Sequence, residues 1–270
     1  MDKNTTSAAA NTMEHFSNAD NGREKAARGL RPVTMELGFH RNAEGSVLYR
    51  AGHTVVLATV SVDEGVPDFL RGRGVGWATA EYQMHPRANP SHRERRDGRS
   101  KALSGRSQEI QRLIGRCVRC ALALDRLGER TITIDCDVLE ADGGTRTASI
   151  TAAWVALAMA VNKLQQHGCL VEPVLRDQIA AISVGHVDGE LVLDLCYAQD
   201  SRARVDANLV ATARGGIVEI QATSEGEAIA RAQMDQMIDL GLEGIDVLLG
   251  LQREALQREG IRVSDLLAAQ

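Results

Sequence analysis

Strict polar–apolar alternation over Thr131-Ile132-Thr133-Ile134-Asp135-Cys136-Asp137-Val138 runs into Asp142-Gly143-Gly144-Thr145-Arg146-Thr147-Ala148-Ser149, and then into a segment that reads as a helix from Ile150 to Leu164. Period two marks a half-buried strand, and Trp154, Ala158, Val161 and Leu164 recur near one helical face. Between them, the glycine pair permits a tight turn. A helix starting there presents unpaired N–H groups and the positive end of its dipole, and Arg146 adds a fork suited to phosphate oxygens. A glycine pair alone can be no more than a turn, but Thr145, Arg146 and Thr147 point to an anion site. It is not a nucleotide P-loop, because no Gly-Lys-Ser/Thr follows, and no GxGxxG fingerprint occurs. Gly72, Gly74 and Gly76 are too evenly spaced for one, and they precede a strand rather than open a helix.

At 270 residues, 44% hydrophobic and 25% charged, the chain fits one sizeable domain or two packed halves. Residues 1–24 are polar and aperiodic and read as a mobile extension. The folded region is placed at 25–258, and 259–270 reads as a short capping segment or tail. No run approaches the ~18 consecutive apolar residues of a membrane span, and no apolar signal core opens the chain, so a cytoplasmic location is expected. The odd number of cysteines, five, fits reduced thiols. Cys117-x-x-Cys120 has no second pair at zinc spacing and falls on an apolar helix face with Ile110, Leu113 and Ile114, which favours packing over metal. The seven histidines form no HxxxH or HExxH pattern.

Net charge is −5, yet Arg87 to Arg106 holds seven basic side chains, among them Arg87, Arg93, Arg95, Arg96 and Arg99, against Glu94 and Asp97. Such a stretch is either a solvated linker or a landing site for a polyanion such as RNA. It leads into a helix expected over Ser107 to Leu127, with Gly128 as C-cap. Arg106 then stands at a second helix N-terminus, and if it meets Thr145 and Arg146 the two ends form a pocket for a doubly charged anion. Farther on, the hairpin signal Val187-Asp188-Gly189-Glu190 and a strand over Leu191 to Leu195 precede Asp200 and Asp206. These carboxylates either share a Mg²⁺ that keeps most of its waters, or Asp200 caps a turn while Asp206 pairs with Arg202 or Arg204.

Together these motifs resemble the ribonuclease PH family of phosphorolytic 3′-to-5′ exoribonucleases. The likeness is carried by Leu30-Arg31-Pro32-Val33, Ala43-Glu44-Gly45-Ser46-Val47-Leu48, Glu64-Gly65-Val66-Pro67, Thr79-Ala80-Glu81-Tyr82, Gly105-Arg106-Ser107-Gln108-Glu109-Ile110-Gln111-Arg112, Asp135-Cys136-Asp137-Val138, Ala141 to Ile150 and Glu219-Ile220-Gln221. It implies an α+β fold of two similar β-α halves with mixed sheets packed against helices, assembled as a homohexamer from three dimers. It further implies that Arg106, Gly144, Thr145 and Arg146 bind attacking inorganic phosphate, and that Asp200 and Asp206 hold Mg²⁺ (or Mn²⁺). Arg106, Arg146, Asp200 and Asp206 are the expected catalytic residues, and Arg87, Arg93, Arg95, Arg96 and Arg99 the expected RNA contacts. The expected substrates are tRNA precursors and other RNA 3′ ends, with roles in tRNA 3′ maturation and rRNA processing and with reversal as a 3′ nucleotidyltransferase. Two departures bear on the metal side. Where the family carries Glu-Asp-Ser-x-Ala-Glu-x-Asp-Met-Asn, this chain has Gln199, Arg204 and Ala207, and Ala222-Thr223 replaces Gly-Thr. Losing two acids predicts a weaker hold on the metal, and would also suit a non-catalytic ring subunit.

Overall fold

The protein is described from a computed structural model covering residues 27–91, 93 and 104–269. The first half carries β1 (Val33–Leu37), β2 (Gly45–Ala51), β3 (Thr54–Glu64), β4 (Trp77–Met84), helix α1 (Gly105–Cys120), β5 (Arg130–Glu140) and helix α2 (Thr145–Gln166). Its five strands lie in the order β1-β2-β3-β5-β4, with β4 parallel to β5 and the other pairs antiparallel. The second half carries β6 (Ile179–Val187), β7 (Glu190–Leu193), the short helix α3 (Tyr197–Asp200), β8 (Val205–Thr212), β9 (Ile217–Ser224), α4 (Arg231–Arg258) and α5 (Val263–Leu266). Its four strands form an antiparallel sheet in the order β7-β6-β8-β9.

Helix α2 joins the halves, because it packs against β2 and β3 of one sheet and β6 of the other. Apolar side chains therefore surround it, and Trp154, Leu157 and Val161 are fully buried, each contributing roughly 1.5–3 kcal/mol by burial. By length and composition α2 would suit a membrane span, but 83% of its most apolar window is buried within this fold. The helix backbone lies directly on β2 at Gly45, where a Cβ would overlap the Ala156 carbonyl. Two buried glutamines tie in α4: Gln178 donates to Gln252 Oε1 at 2.8 Å, and Gln252 donates to the carbonyls of Thr151 on α2 and Ile179 on β6.

Several elements differ from the sequence reading. The helix expected to reach Leu127 stops at Cys120, and a separate 3-10 turn spans Leu124–Arg126 before Gly128 at φ +69°. The Ala121–Ala123 break lets the Ala123 N–H reach the Val174 carbonyl and the Ala121 carbonyl accept from Arg176, so pairing with a distant segment outweighs continued helix. Cys117 is buried in the core, whereas Cys120 is exposed. The hairpin signal holds, with Asp188 and Gly189 both at positive φ as a primed two-residue turn requires. The C-terminal segment caps the fold: Val263 and Leu266 are buried, and Leu267 bridges to Leu175. The mobility expected of residues 1–24 lies outside the described residues.

Candidate active site

A cleft of about 350 Å³ opens where the halves meet. On one wall, Gly143 and Gly144 both have positive φ and deliver the chain into α2. Gly143 is sterically required, because an added Cβ would lie 2.6–2.7 Å from backbone atoms of Leu195 and Tyr197. Gly144 is the N-cap, and no side chain caps the helix. The amides of the Gly144–Arg146 turn, which lines the cleft, are thus available to an anion.

The turn is held from behind by residues to which the sequence reading assigned no role. Arg31, buried, makes a two-pronged pair with buried Asp194, Nη2 to Oδ1 at 2.7 Å and Nε to Oδ2 at 3.0 Å, and donates from Nη1 to the Asp142 carbonyl at 2.7 Å. The Thr54 hydroxyl donates to the Gly143 carbonyl at 2.7 Å and accepts from the Asp142 amide at 3.0 Å. The Tyr82 hydroxyl donates to Thr145 Oγ1 at 2.9 Å, and burial pushes the Tyr82 phenol up. Carbonyls that would repel an anion are drawn backward, and the amides are left forward.

Arg106 and Arg146 both line this cleft, so the sequence pairing of the two basic helix starts holds in space. The starts are not equivalent. At α1 the Ser104 hydroxyl already accepts from the Ser107 amide at 3.1 Å, so that end offers Arg106 rather than an open helix terminus. Arg146 is gripped on one edge, Nη1 donating to Gln221 Oε1 at 3.0 Å and Nη2 lying 3.3 Å from Glu109 Oε2. Gln221 in turn donates to Glu109 and to Glu219, and Glu219 pairs with Arg116 at 2.6 Å. Glu109 and Gln221 stand far apart in sequence, and only the seating of β9 beside α1 brings them to one guanidinium. The remaining donors of Arg146 are left for a ligand.

Asp200 and Asp206 line the same cleft, at the end of α3 and the start of β8. The Asp200 carboxyl is held above the ordinary carboxylate range, chiefly by partial burial and then by the Asp206 carboxylate; Arg106 and Arg146 pull the other way, and Glu225 adds to the rise. The alternative pairing is overturned, since Arg202 goes to Asp188 at 3.4 Å and Arg204 reaches the Glu227 carbonyl at 3.5 Å. Gln199 accepts from the Cys196 amide, and neither Gln199 nor Arg204 lines the cleft, whereas Ala207, the third departure in that stretch, does. Among the described residues no cluster of three or more His, Cys, Asp or Glu forms a metal cage. Two mutually repelling carboxylates in a cleft that also holds two arginines do fit a hard divalent ion, which takes oxygen ligands and keeps several waters.

The basic loop begins and ends at the cleft, since Asn89 lines it on one side and Arg106 on the other. Arg87 and Arg93 are exposed, whereas Arg95, Arg96 and Arg99 lie outside the described residues. Tyr197 and Ser183, which the sequence reading gave no role, also line the cleft, as does Asn208 at the end of the acidic stretch.

Residues 29–162 match the 3′ exoribonuclease family, domain 1, and residues 177–244 match domain 2 of the same family. The chain is 54% identical over 228 residues to Ribonuclease PH of Mycobacterium bovis, covering 84% of this chain and 88% of that protein. It is 52% identical over 229 residues to Ribonuclease PH of Crocosphaera subtropica, covering 85% and 94%. Among solved structures, it is similar to rice Rrp46 with a TM-score of 0.71 at 19% identity, covering 87% of this chain and 98% of that one. It is also similar to a chain of the Archaeoglobus fulgidus exosome with RNA bound to the active site, with a TM-score of 0.67 at 20% identity, covering 85% and 92%. The two domain matches, the identity across most of the chain and the shared architecture lead to one conclusion: the chain belongs to the 3′ exoribonuclease family of ribonuclease PH.

Proposed function

We infer that this chain is a phosphate-dependent 3′-to-5′ exoribonuclease, which removes the last nucleotide of an RNA as a nucleoside 5′-diphosphate. The observation that carries the reading is the cleft itself, where an uncapped helix start and two arginines face two carboxylates. Among the described residues no His or Cys lines it, and Ser183, which does, accepts the Leu195 amide at 2.9 Å. Among the described residues the arrangement therefore offers no hydrogen-bonded pair of nucleophile and base. The attacking group is inorganic phosphate, bound by the Gly144–Arg146 amides, Arg106 and Arg146. These donors face the charge that builds on non-bridging oxygens during in-line displacement, and holding phosphate and RNA end together removes most of the entropic barrier. The bond broken joins the 3′ oxygen to the terminal phosphorus, and the new bond joins that phosphorus to the phosphate oxygen. A phosphoanhydride replaces a phosphodiester, so the reaction runs backward as 3′ nucleotide addition when diphosphates are abundant.

Asp200 and Asp206 are proposed to hold Mg²⁺ or Mn²⁺, which when bound would neutralise charge on the reacting phosphoryl oxygens. Arg87, Arg93, Arg95, Arg96 and Arg99 are proposed to attract the RNA backbone toward the cleft, supported by the exposure of Arg87 and Arg93 and by the loop ends at Asn89 and Arg106. Substrates are proposed to be tRNA precursors and other RNA 3′ ends, including rRNA, in a cytoplasmic homohexamer. The free thiols support the location. Exposed Ile217 and Ile220 on edge strand β9 support assembly. The reading is tested by incubating RNA with and without phosphate and resolving products: diphosphates formed only with phosphate are expected, and monophosphates formed equally without it overturn phosphorolysis.

A further inference from the structure

Of the chain's three tyrosines, Tyr49 and Tyr82 are buried, but Tyr197 is 67% exposed and lines the cleft. An aromatic ring left open to water beside an otherwise polar, charged site gives up its burial free energy unless something covers it. Its place is fixed by the phosphate turn: the Tyr197 amide donates to Asp142 Oδ1 at 3.2 Å, and Gly143 packs against the same amide. Tyr197 opens α3 and Asp200 closes it three residues later, so both project from one face of a single helical turn. The ring therefore stands beside the turn that binds phosphate and on the same face as the carboxylate at the reacting phosphodiester.

We propose that Tyr197 is the stacking platform for the base of the RNA's 3′-terminal nucleotide. This rests on the exoribonuclease reading and adds the contact that would seat the base. An enzyme that removes nucleotides one after another must accept each base, and a ring meets that need because all bases have a π-face, whereas hydrogen bonds to base edges discriminate. The geometry divides the terminal nucleotide between two surfaces, its phosphate toward Arg106 and Arg146 and its base toward Tyr197.

The test compares kcat/KM for an RNA with an ordinary 3′ nucleotide and the same RNA ending in an abasic 3′ nucleotide, for the unmodified protein, Tyr197→Ala and Tyr197→Phe. Tyr197→Ala is expected to lose about 5- to 100-fold on the ordinary RNA, the range typical of one stacked base, with the KM for phosphate within about twofold of the original. On the abasic RNA the unmodified protein and Tyr197→Ala should be alike, and Tyr197→Phe should restore most of the loss on the ordinary RNA. Equal losses on both RNAs, or a phenylalanine variant no better than alanine, overturn the proposal. Binding of an RNA carrying 2-aminopurine at its 3′ end, followed by fluorescence without phosphate, separates this failure from failure of the functional reading. If the unmodified protein shows no phosphorolysis, the functional reading falls, whereas quenching lost in Tyr197→Ala and kept in Tyr197→Phe still supports the stack. Quenching that is the same in all three proteins overturns it.

Discussion

At one end of the cleft the Gly143–Arg146 turn is fixed from below by the buried Arg31–Asp194 pair, Thr54 and Tyr82; at the other, Asp200 and Asp206 face the open space with their charges repelling one another. The first end satisfies its polar groups within the protein, and what remains unpaired is a set of donors aimed outward. At the second end the protein leaves a charge conflict for a ligand to resolve. On the proposed reading the labour is divided: the phosphate end is complete on folding, whereas the acidic end waits for a cation.

The largest effect expected from this division is at the arginines. Arg146→Ala should lower phosphorolysis about 10²- to 10³-fold, the cost typical of deleting one preorganised donor at developing charge, while the melting temperature stays within a few degrees, because the side chain is partly exposed. Steady-state rates with phosphate as the varied substrate, together with calorimetry, check both parts. A variant with near-normal rates would move phosphate binding elsewhere.

The support beneath the phosphate end is breakable separately. Asp194→Ala leaves the buried Arg31 charge unpaired and should cost about 3–5 kcal/mol of folding stability, read as a lowered denaturant midpoint. Asp206→Asn, by contrast, should leave stability unchanged and raise the Mg²⁺ concentration for half-maximal activity about tenfold or abolish activity. If the two variants exchange phenotypes, the comparison between the ends is wrong.

The smallest effect is expected at Arg204. Its sequence position, two before Asp206, predicts repulsion of a bound cation, but its guanidinium is turned toward the Glu227 carbonyl and does not line the cleft. Glu225, which acts on Asp200, supplies negative charge that the local pattern alone did not show. Arg204→Glu should therefore shift the Mg²⁺ midpoint by less than about twofold, and a larger decrease would restore the repulsion account.

The ends also differed in how far the sequence exposed them. The turn at Gly143–Gly144 and the strand and helix around it were legible because their causes are local: period-two burial, positive φ and a helix start. The meeting of Arg106 with Arg146 was legible only as a condition, since it depends on α1 and α2 packing side by side. Arg31, Thr54, Glu109 and Gln221 were illegible as functional residues. They act across separations of 111, 89 and 75 positions, for Arg31 with Asp142, Thr54 with Gly143 and Arg146 with Gln221. The end of α1 was misread for the same reason, because pairing of Ala121 and Ala123 with the Val174–Arg176 segment is nonlocal.

The most direct test of the division is calorimetric titration of the unmodified protein with inorganic phosphate, once in EDTA and once with saturating Mg²⁺. Preorganised amides and arginines predict that phosphate binds in EDTA, with Arg146→Ala abolishing that binding and Asp206→Asn leaving it intact. Phosphate binding that appears only with Mg²⁺, and that Asp206→Asn removes, would contradict the claim that the phosphate end is complete on folding.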